Sequence, residues 1–333
     1  MSVTMLMTSA EMQAEGGREK WLELRKNGIG GSDAGVIVGV NPWKNRFQLW
    51  MEKTGQAGEQ ELTEEQIERM DWGTRMEPVI ADWFEAKTGK KLRRCGMIRN
   101  NEYPFMFADV DRLVVGENAI VEIKTTSAFN KDEWADDKLP DSYYCQIQHY
   151  MGVGGYDKCY VVCLLGGQKA VIREVARNDE DIAVLIEEEG KFWNDFVVTK
   201  TIPEVDASNN CKKLIEKLYP GGEKEVLQIG GEWEAVCEEI EQMKAQIKQL
   251  ENFIKEKENK LRLQLGNYEK GDCGDYTITF GKITRKSFDS KGFGIDYPNL
   301  VNTYTRVSEF RTLKVNLKQA AKKRRAKEME EEA

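Results

Sequence analysis

ADVDRLVVGENAIVEIKT, running from Ala108 to Thr125, is the stretch on which the reading of this chain turns. Asp111 stands at the end of one apolar run. Gly116-Glu117-Asn118 supplies a turn, and a second apolar run, AIVEIK, follows. Strand alternation sets Glu122 and Lys124 on one face and Val121 and Ile123 on the other. A hairpin returns Asp111 to their side. Two carboxylates and an ammonium then meet at one place, a donor set suited to holding a hard divalent cation and orienting an attacking water. The same residues also fit a surface hairpin with a cross-strand ion pair. E-x-K occurs four times, at Glu85, Glu122, Glu189 and Glu258. Only the copy at Glu122 lies in a β-branched apolar run behind an aspartate-bearing strand.

The bulk properties narrow the choice. At 333 residues the chain can bury one large core, or a core with an appendage. No stretch approaches the roughly 20 apolar residues of a membrane span. The first residues lack a basic segment followed by a long apolar core, so no secretory signal is expected. Seven cysteines without close pairing point to reduced thiols in a cytoplasm. The single histidine, His149, argues against zinc and iron–sulfur centres and leaves one candidate for a histidine base. A net charge of −8 argues against a general DNA-coating protein, but not against an enzyme with a basic channel.

Residues 1–16 read as a flexible leader. Residues 17–205 carry the mixed periodicities of an α/β core, with a sheet flanked by helices. Residues 206–230 are polar and turn-rich, with Pro220-Gly221-Gly222 and Gly230-Gly231, and read as a linker. Residues 231–333 form an appendage. Trp233, Val236, Ile240, Met243, Ile247, Leu250 and Ile254 follow 3-4 spacing, the seam of a coiled coil or helical hairpin. DYTITFGKITRKSF alternates like a strand or hairpin. LKQAAKKRRAK is a basic tail that can touch phosphates or serve as a solvated helix end.

Four further features bear on the chemistry around the hairpin. Glu77 lies in a W-G-x-x-x-E run near a helix start, a place that also favours glutamate through the helix dipole. Tyr143, Gln146 and Tyr150 share a helix face at i, i+3, i+7, able to meet a phosphate or water, or to form an ordinary amphipathic edge. Trp21 and Arg25 lead into Gly28-Ile29-Gly30-Gly31-Ser32, where amides, a hydroxyl and a guanidinium can cradle a terminal phosphate. The same run also suits a helix C-cap followed by an N-cap. Asp109 shares a face with Asp111 if the strand is regular, and is either a second carboxylate of the site or a solvated edge residue.

The ordered set W-x-x-x-R, G-S, W-G-x-x-x-E, D, E-x-K and Y-x-x-Q-x-Q-x-Y, across roughly residues 17–200, resembles the YqaJ viral-recombinase and lambda-exonuclease family. That family belongs to the PD-(D/E)xK restriction-endonuclease-like nucleases. The resemblance implies an Mg²⁺-dependent phage-type DNA exonuclease. It would degrade one strand of linear duplex from the 5′ end and leave 3′ single strands for recombination. It also implies two metal ions, with Mn²⁺ able to substitute. The implied partners are double-stranded DNA ends, a single-strand annealing recombinase and further copies of the chain, a trimer by resemblance. The implied setting is the cytoplasm of a bacterial host of a phage or prophage. By position, Asp111, Glu122, the Ile123 carbonyl and Glu77 would ligate metal. Lys124 would orient the water or stabilise charge. Gln146 and Tyr143 would hold water or phosphate, and Arg25 and Ser32 would bind the 5′-phosphate. Val110 and Arg112 depart from the usual proline and glycine beside the aspartate, which puts the turn in doubt but not the ligand set. The alternatives are an endonuclease or flap-cutting repair nuclease on the same core, or a non-catalytic DNA-binding scaffold.

Overall fold

The structure, a computed structural model, describes residues 2–58, 63–307, 311–321, 323, 324 and 327. It divides into two compact units, one ending at Tyr219 and one beginning at Pro220. The first unit opens with β1 (Val3–Met7), α1 (Ser9–Gln13), α2 (Gly17–Lys26), α3 (Gly31–Ile37), α4 (Arg46–Lys53) and α5 (Glu64–Thr88). Short strands follow: β2 (Leu92–Arg93), β3 (Met97–Asn100), β4 (Phe107–Ala108) and β5 (Arg112–Val114). Then come β6 (Ala119–Thr126), a 3₁₀ turn (Ala128–Trp134), α6 (Asp141–Gly154), β7 (Lys158–Leu165) and β8 (Lys169–Ala176). The unit closes with α7 (Asp179–Lys191), which runs into a π-helical turn (Phe192–Val198), and α8 (Asn209–Leu218).

The central sheet has the order β2-β5-β6-β7-β8. Only β6 and β7 are parallel, and α6 is the crossover that joins them. This is the expected α/β class, a mixed sheet flanked by helices. Alternation along β6 sorts its side chains as the sequence predicts. Val121 faces α5, in a cluster with Ile80, Phe84, Tyr160 and Val162. Ile120 faces α6, in a cluster with Ile147, Met151, Cys159 and Val161. Each of these fully buried aliphatic or aromatic side chains contributes about 1.5–3 kcal/mol relative to exposure, so a one-residue register slip in β6 would be very costly.

The helix carrying Glu77 is set by its ends. Thr63 caps the α5 N-terminus in a reciprocal box with Gln66. Gly89, with φ 74°, closes it in the left-handed conformation that glycine adopts without strain.

Three expectations need correction. The strand expected to carry Asp109 and Asp111 is not continuous. Phe107–Ala108 pairs with β3 in a separate three-stranded sheet, Arg112–Val114 pairs with β6, and residues 109–111 form the irregular link between the two sheets. The leader is structured: β1 pairs antiparallel with β3, Val3 opposite Asn100, and Met7 is buried. The expected linker begins too early, because α8 lies within residues 206–219. Its Cys211 is buried, and Leu214, Ile215 and Leu218 pack against the cluster of Phe47, Trp50 and Phe192.

The second unit contains a single long helix, α9 (Glu232–Leu265), a hairpin of β9 (Lys270–Cys273) and β10 (Tyr276–Thr279), and the short helices α10 (Ser290–Asp296) and α11 (Pro298–Tyr304). The heptad run is helical throughout, as its spacing predicts. The basic tail lies partly outside the described residues, and the terminal EMEEEA lies wholly outside them.

Candidate active site

Glu122, Lys124 and Gln146 form a closed triangle beneath the sheet. Lys124 Nζ donates to Glu122 Oε1 at 2.7 Å and to Gln146 Oε1 at 3.0 Å. Gln146 Nε2 completes it by donating to the same Glu122 oxygen at 2.7 Å. The triangle exists because β6 turns Glu122 and Lys124 toward α6, and α6 turns Gln146 back toward them. Tyr143, one helical turn earlier, lies under the ammonium, 4.7 Å from Nζ to the ring centroid. The ring face favours a cation there.

Asp111 reaches this group through the backbone. Its Oδ2 accepts the Ile123 amide at 2.7 Å. That bond pins the irregular link between the two sheets to β6 and holds the carboxyl beside Glu122. Burial, with the Glu122 charge next in weight, pushes the Asp111 carboxyl well above the usual range. Burial also raises Glu122, against the pull of Lys124. For Lys124, burial favours loss of its proton, but Glu122 and Asp111 outweigh it and the ammonium is held charged. One fixed cation therefore faces two carboxyls, Glu122 buried and Asp111 half-buried.

That imbalance bears on whether a metal fits. Glu122 Oε2 is buried and accepts no hydrogen bond from the chain, an expensive state for a carboxylate oxygen without a partner. Among the described residues, no three histidine, cysteine or acidic side chains converge as a complete metal cage. Mg²⁺ does not need one, since it keeps several waters and takes one or two carboxylates together with substrate phosphates. Asp111 and the unbonded Glu122 oxygen fit that requirement.

Glu77 is placed differently. It arrives from α5 and is ion-paired to Arg112 NH1, which also donates to the Asp111 carbonyl at 2.7 Å. Arg112 is buried. In this arrangement Glu77 neutralises a guanidinium, and a ligand role would require it to act through water or to release Arg112. Two clefts of about 320 and 590 Å³ flank the site and share Arg18, Thr74, Glu77 and Asp111 in their walls. A polymer can approach the carboxyls from that side.

A hydrogen-bond chain leads from the triangle to the glycine-rich turn. Gln146 Nε2 donates to Tyr150 Oη at 3.2 Å, and Tyr150 donates to Asp109 Oδ1 at 3.1 Å. Trp21 Nε1 donates to the other Asp109 oxygen at 2.9 Å. Burial, with the Asp109 charge next, keeps the Tyr150 phenol protonated and able to donate. The Trp21 ring in turn carries the Arg25 guanidinium, 5.0 Å from its centroid. Asp109 thus links two helices instead of sharing a strand face with Asp111.

Arg25 donates to Ser32 Oγ at 2.7 Å and meets Asp33 at 3.3 Å. Lys53 pairs with the other Asp33 oxygen at 2.7 Å. Asp33 is buried, and although burial alone would raise its carboxyl, Lys53 and Arg25 hold it far below the usual range. Gly31 is needed here for packing: a Cβ would lie 2.5 Å from the Tyr150 ring, so only glycine lets α3 approach α6.

The structure therefore joins Asp111, Glu122, Ile123, Lys124, Gln146 and Tyr143 in one group. It sets Asp109 and Tyr150 behind it, and Arg25 with Ser32 at the far end of the chain of bonds. Arg112, Asp33 and Lys53 also contact these residues, and the sequence pattern does not mark them as site residues. Asp33 carries a signal, an acid directly after Gly-Gly-Ser. Lys53 carries none beyond its charge, and Arg112 only its departure from the family pattern. His149 is fully buried, bonded to Glu189 and to the Phe107 carbonyl, which makes it a core residue and not a base.

A YqaJ-like viral recombinase domain matches residues 20–157. Over 305 residues, 90% of this chain and 94% of the relative, the sequence is 38% identical to the uncharacterized protein YqaJ of Bacillus subtilis (strain 168). The chain belongs to the YqaJ-like viral recombinase family. Among solved structures, it resembles an alkaline exonuclease from Laribacter hongkongensis at 21% identity and a TM-score of 0.48, covering 60% of this chain and 100% of that one. It also resembles a phage related exonuclease from Haemophilus somnus 129PT at 15% identity and a TM-score of 0.40, covering 54% and 99%. No described helix is long and apolar enough to cross a membrane.

Proposed function

We propose that the chain is a metal-dependent deoxyribonuclease that digests one strand of linear duplex DNA from a 5′-phosphorylated end, leaving 3′ single strands for recombination. The observation that carries this reading is the pairing of buried Glu122 with half-buried Asp111, both facing one ammonium, with a Glu122 oxygen left unbonded. Mg²⁺ bound there would polarise the scissile phosphate and lower the pKa of an attacking water. The Ile123 carbonyl, on the residue that follows Glu122 and whose amide binds Asp111, would complete the donor set, and Glu77 would act through water.

The chain's own groups have distinct tasks. Lys124 stays protonated, so it orients the nucleophile by donating and offsets charge developing on phosphate oxygens. Gln146 fixes the Glu122 rotamer through one oxygen and so leaves the other for the metal. Tyr143 holds the ammonium over its ring. Arg25 and Ser32, presented beside the Gly30–Gly31 amides, would take the terminal phosphate, with Asp33 and Lys53 fixing the guanidinium from behind. This second, cationic station favours an end-directed enzyme over an endonuclease, because a terminal phosphate is what it can recognise and an internal strand lacks one. An annealing recombinase would receive the 3′ strand.

The test uses Mg²⁺ and linear duplexes labelled at either end, with and without 5′-phosphate, beside a covalently closed circle. Release of label from the 5′-phosphorylated end and an intact circle are expected. Cutting of the circle would replace the exonuclease reading with an endonuclease, and no digestion under any metal would leave a binding scaffold.

A further inference from the structure

The α9 helix presents its apolar seam to solvent. Trp233, Val236, Met243, Ile247, Leu250 and Ile254 are 41–60% exposed, and Ile240 between them is half-buried. The seam keeps its heptad spacing for three full heptads, and Leu261 continues it after one interruption at Lys257. An unpartnered stripe of this length, roughly 42 Å from Trp233 to Leu261 at 1.5 Å per residue, is what a partner helix covers.

We propose that α9 pairs antiparallel with α9 of a second copy of this chain, in the register that sets Ile247 opposite Leu250 of the second copy. The flanking charges select both the partner and the direction. With the seam residues at a and d, the e positions are Cys237, Lys244, Glu251 and Glu258, and the g positions are Glu239, Gln246, Phe253 and Lys260. In an antiparallel pair, e faces e and g faces g. Lys244 then meets Glu251 of the second copy, and Glu239 meets Lys260 of the second copy. Symmetry repeats both contacts, and no like charges are opposed. Met243 faces Ile254 and Val236 faces Leu261, so apolar layers flank the Ile240–Lys257 layer on both sides, and Trp233 lies beyond them opposite Gln264.

The interruption at Lys257 decides against the parallel arrangement. In parallel, Lys257 would stack on Lys257 of the second copy inside the seam, which places two ammonium groups in one buried layer. Only Glu239 with Lys244 would then pair favourably. In antiparallel, Lys257 faces Ile240, and its stem can lie along the seam with the ammonium in water. Lys260 also has an exposed i,i+4 pair with Glu256, a weak contact that does not prevent it from being shared. The inference rests on α9 alone and does not depend on the nuclease reading.

Cross-linking in the full-length chain tests it. In a C237S background, M243C and I254C are prepared as separate proteins, oxidised alone and as a mixture, with the C237S parent as control for the remaining cysteines. A disulfide needs Cα atoms within about 7 Å. The antiparallel register therefore predicts that M243C links to I254C in the mixture and that neither variant links to itself. A link within M243C alone or I254C alone would establish a parallel pair and overturn the proposal. The absence of any link would overturn it as well, leaving the seam to another segment or another protein. Charge reversal provides a second reading that does not rely on cysteine chemistry. K244E should weaken self-association by roughly three- to tenfold, and adding E251K should restore it. In a parallel pair, E251K would give no rescue, since Lys244 faces Glu239 there.

Discussion

Two ionic clusters in the first unit have opposite charge balance. Around Glu122, two carboxyls share one ammonium, and the loss of solvation drives them toward the protonated form. Around Asp33, one buried carboxylate serves both Arg25 and Lys53, and those cations hold it ionised. The first cluster is short of positive charge and the second has a surplus. On the proposed function, a divalent cation would answer the first imbalance and an anionic phosphate the second. Hydrogen bonds from Gln146 through Tyr150 and Asp109 to Trp21, and the Trp21 ring beneath Arg25, connect the two clusters.

The comparison breaks most severely at the carboxyls. Asp111→Asn or Glu122→Gln should lower Mg²⁺-dependent digestion by about 10³-fold or more, a barrier increase of at least ~4 kcal/mol, measured as label release from a phosphorylated duplex. The same substitutions should make the metal-free fold more stable at alkaline pH. A carboxyl whose folded pKa lies above its unfolded one stabilises the fold fully below the unfolded value. That contribution is lost as pH rises through the folded value. Both Asp111 and Glu122 are shifted this way. Wild type without metal should therefore lose melting temperature as pH rises through the raised carboxyl range, and Asp111→Asn should lose less. A gain of roughly 2–4 °C for Asp111→Asn at pH 8 is expected by thermal melting. A loss would mean that the Ile123 amide contact outweighs charge relief.

Lys124→Ala should reduce turnover by about 10²-fold while leaving duplex affinity nearly unchanged, measured by single-turnover kinetics beside equilibrium binding. Equal losses in both would assign the ammonium to substrate binding. At the cationic station, Arg25→Ala should remove a preference for 5′-phosphorylated ends of about tenfold, with hydroxyl-ended duplex digested as before. Matched losses on both ends would make Arg25 part of the scaffold that holds α2 to α3. The smallest effect is expected from ending the chain after Tyr219. The first unit contains every residue of both clusters, so digestion of a short duplex should stay within about twofold. Insolubility of that fragment would show that α9 belongs to the nuclease fold.

Part of this is legible in the sequence, and the reason is local geometry. Period-two alternation in AIVEIK gives the facing of Glu122 and Lys124 without any tertiary information, and the i, i+3, i+7 row gives Tyr143, Gln146 and Tyr150. The order of motifs gives the family. What escapes depends on contacts distant in sequence. Val3 pairs with Asn100, and no local pattern in the first residues announces a strand completed by a segment so far along the chain. The link at residues 109–111 reads as strand because its residues alternate, yet it crosses between two sheets. Arg112 stands out as a departure from the family pattern, but its pairing with Glu77 needs α5 to lie across the face of the central sheet. The α8 helix does have a local signature: Ser208 is an N-cap residue that accepts from the Cys211 amide, and Cys211, Leu214, Ile215 and Leu218 make a short apolar face.

On the proposed function, Asp111 and Glu122 together hold a divalent cation. Calorimetric titration of Mn²⁺ into the DNA-free protein, wild type beside Glu122→Gln, tests this most directly. Saturable binding by wild type that tightens as pH rises and the carboxyls ionise, with loss of that binding in Glu122→Gln, is the predicted result. Equal binding by the two proteins, or none by wild type at any pH at which it stays folded, would contradict the account.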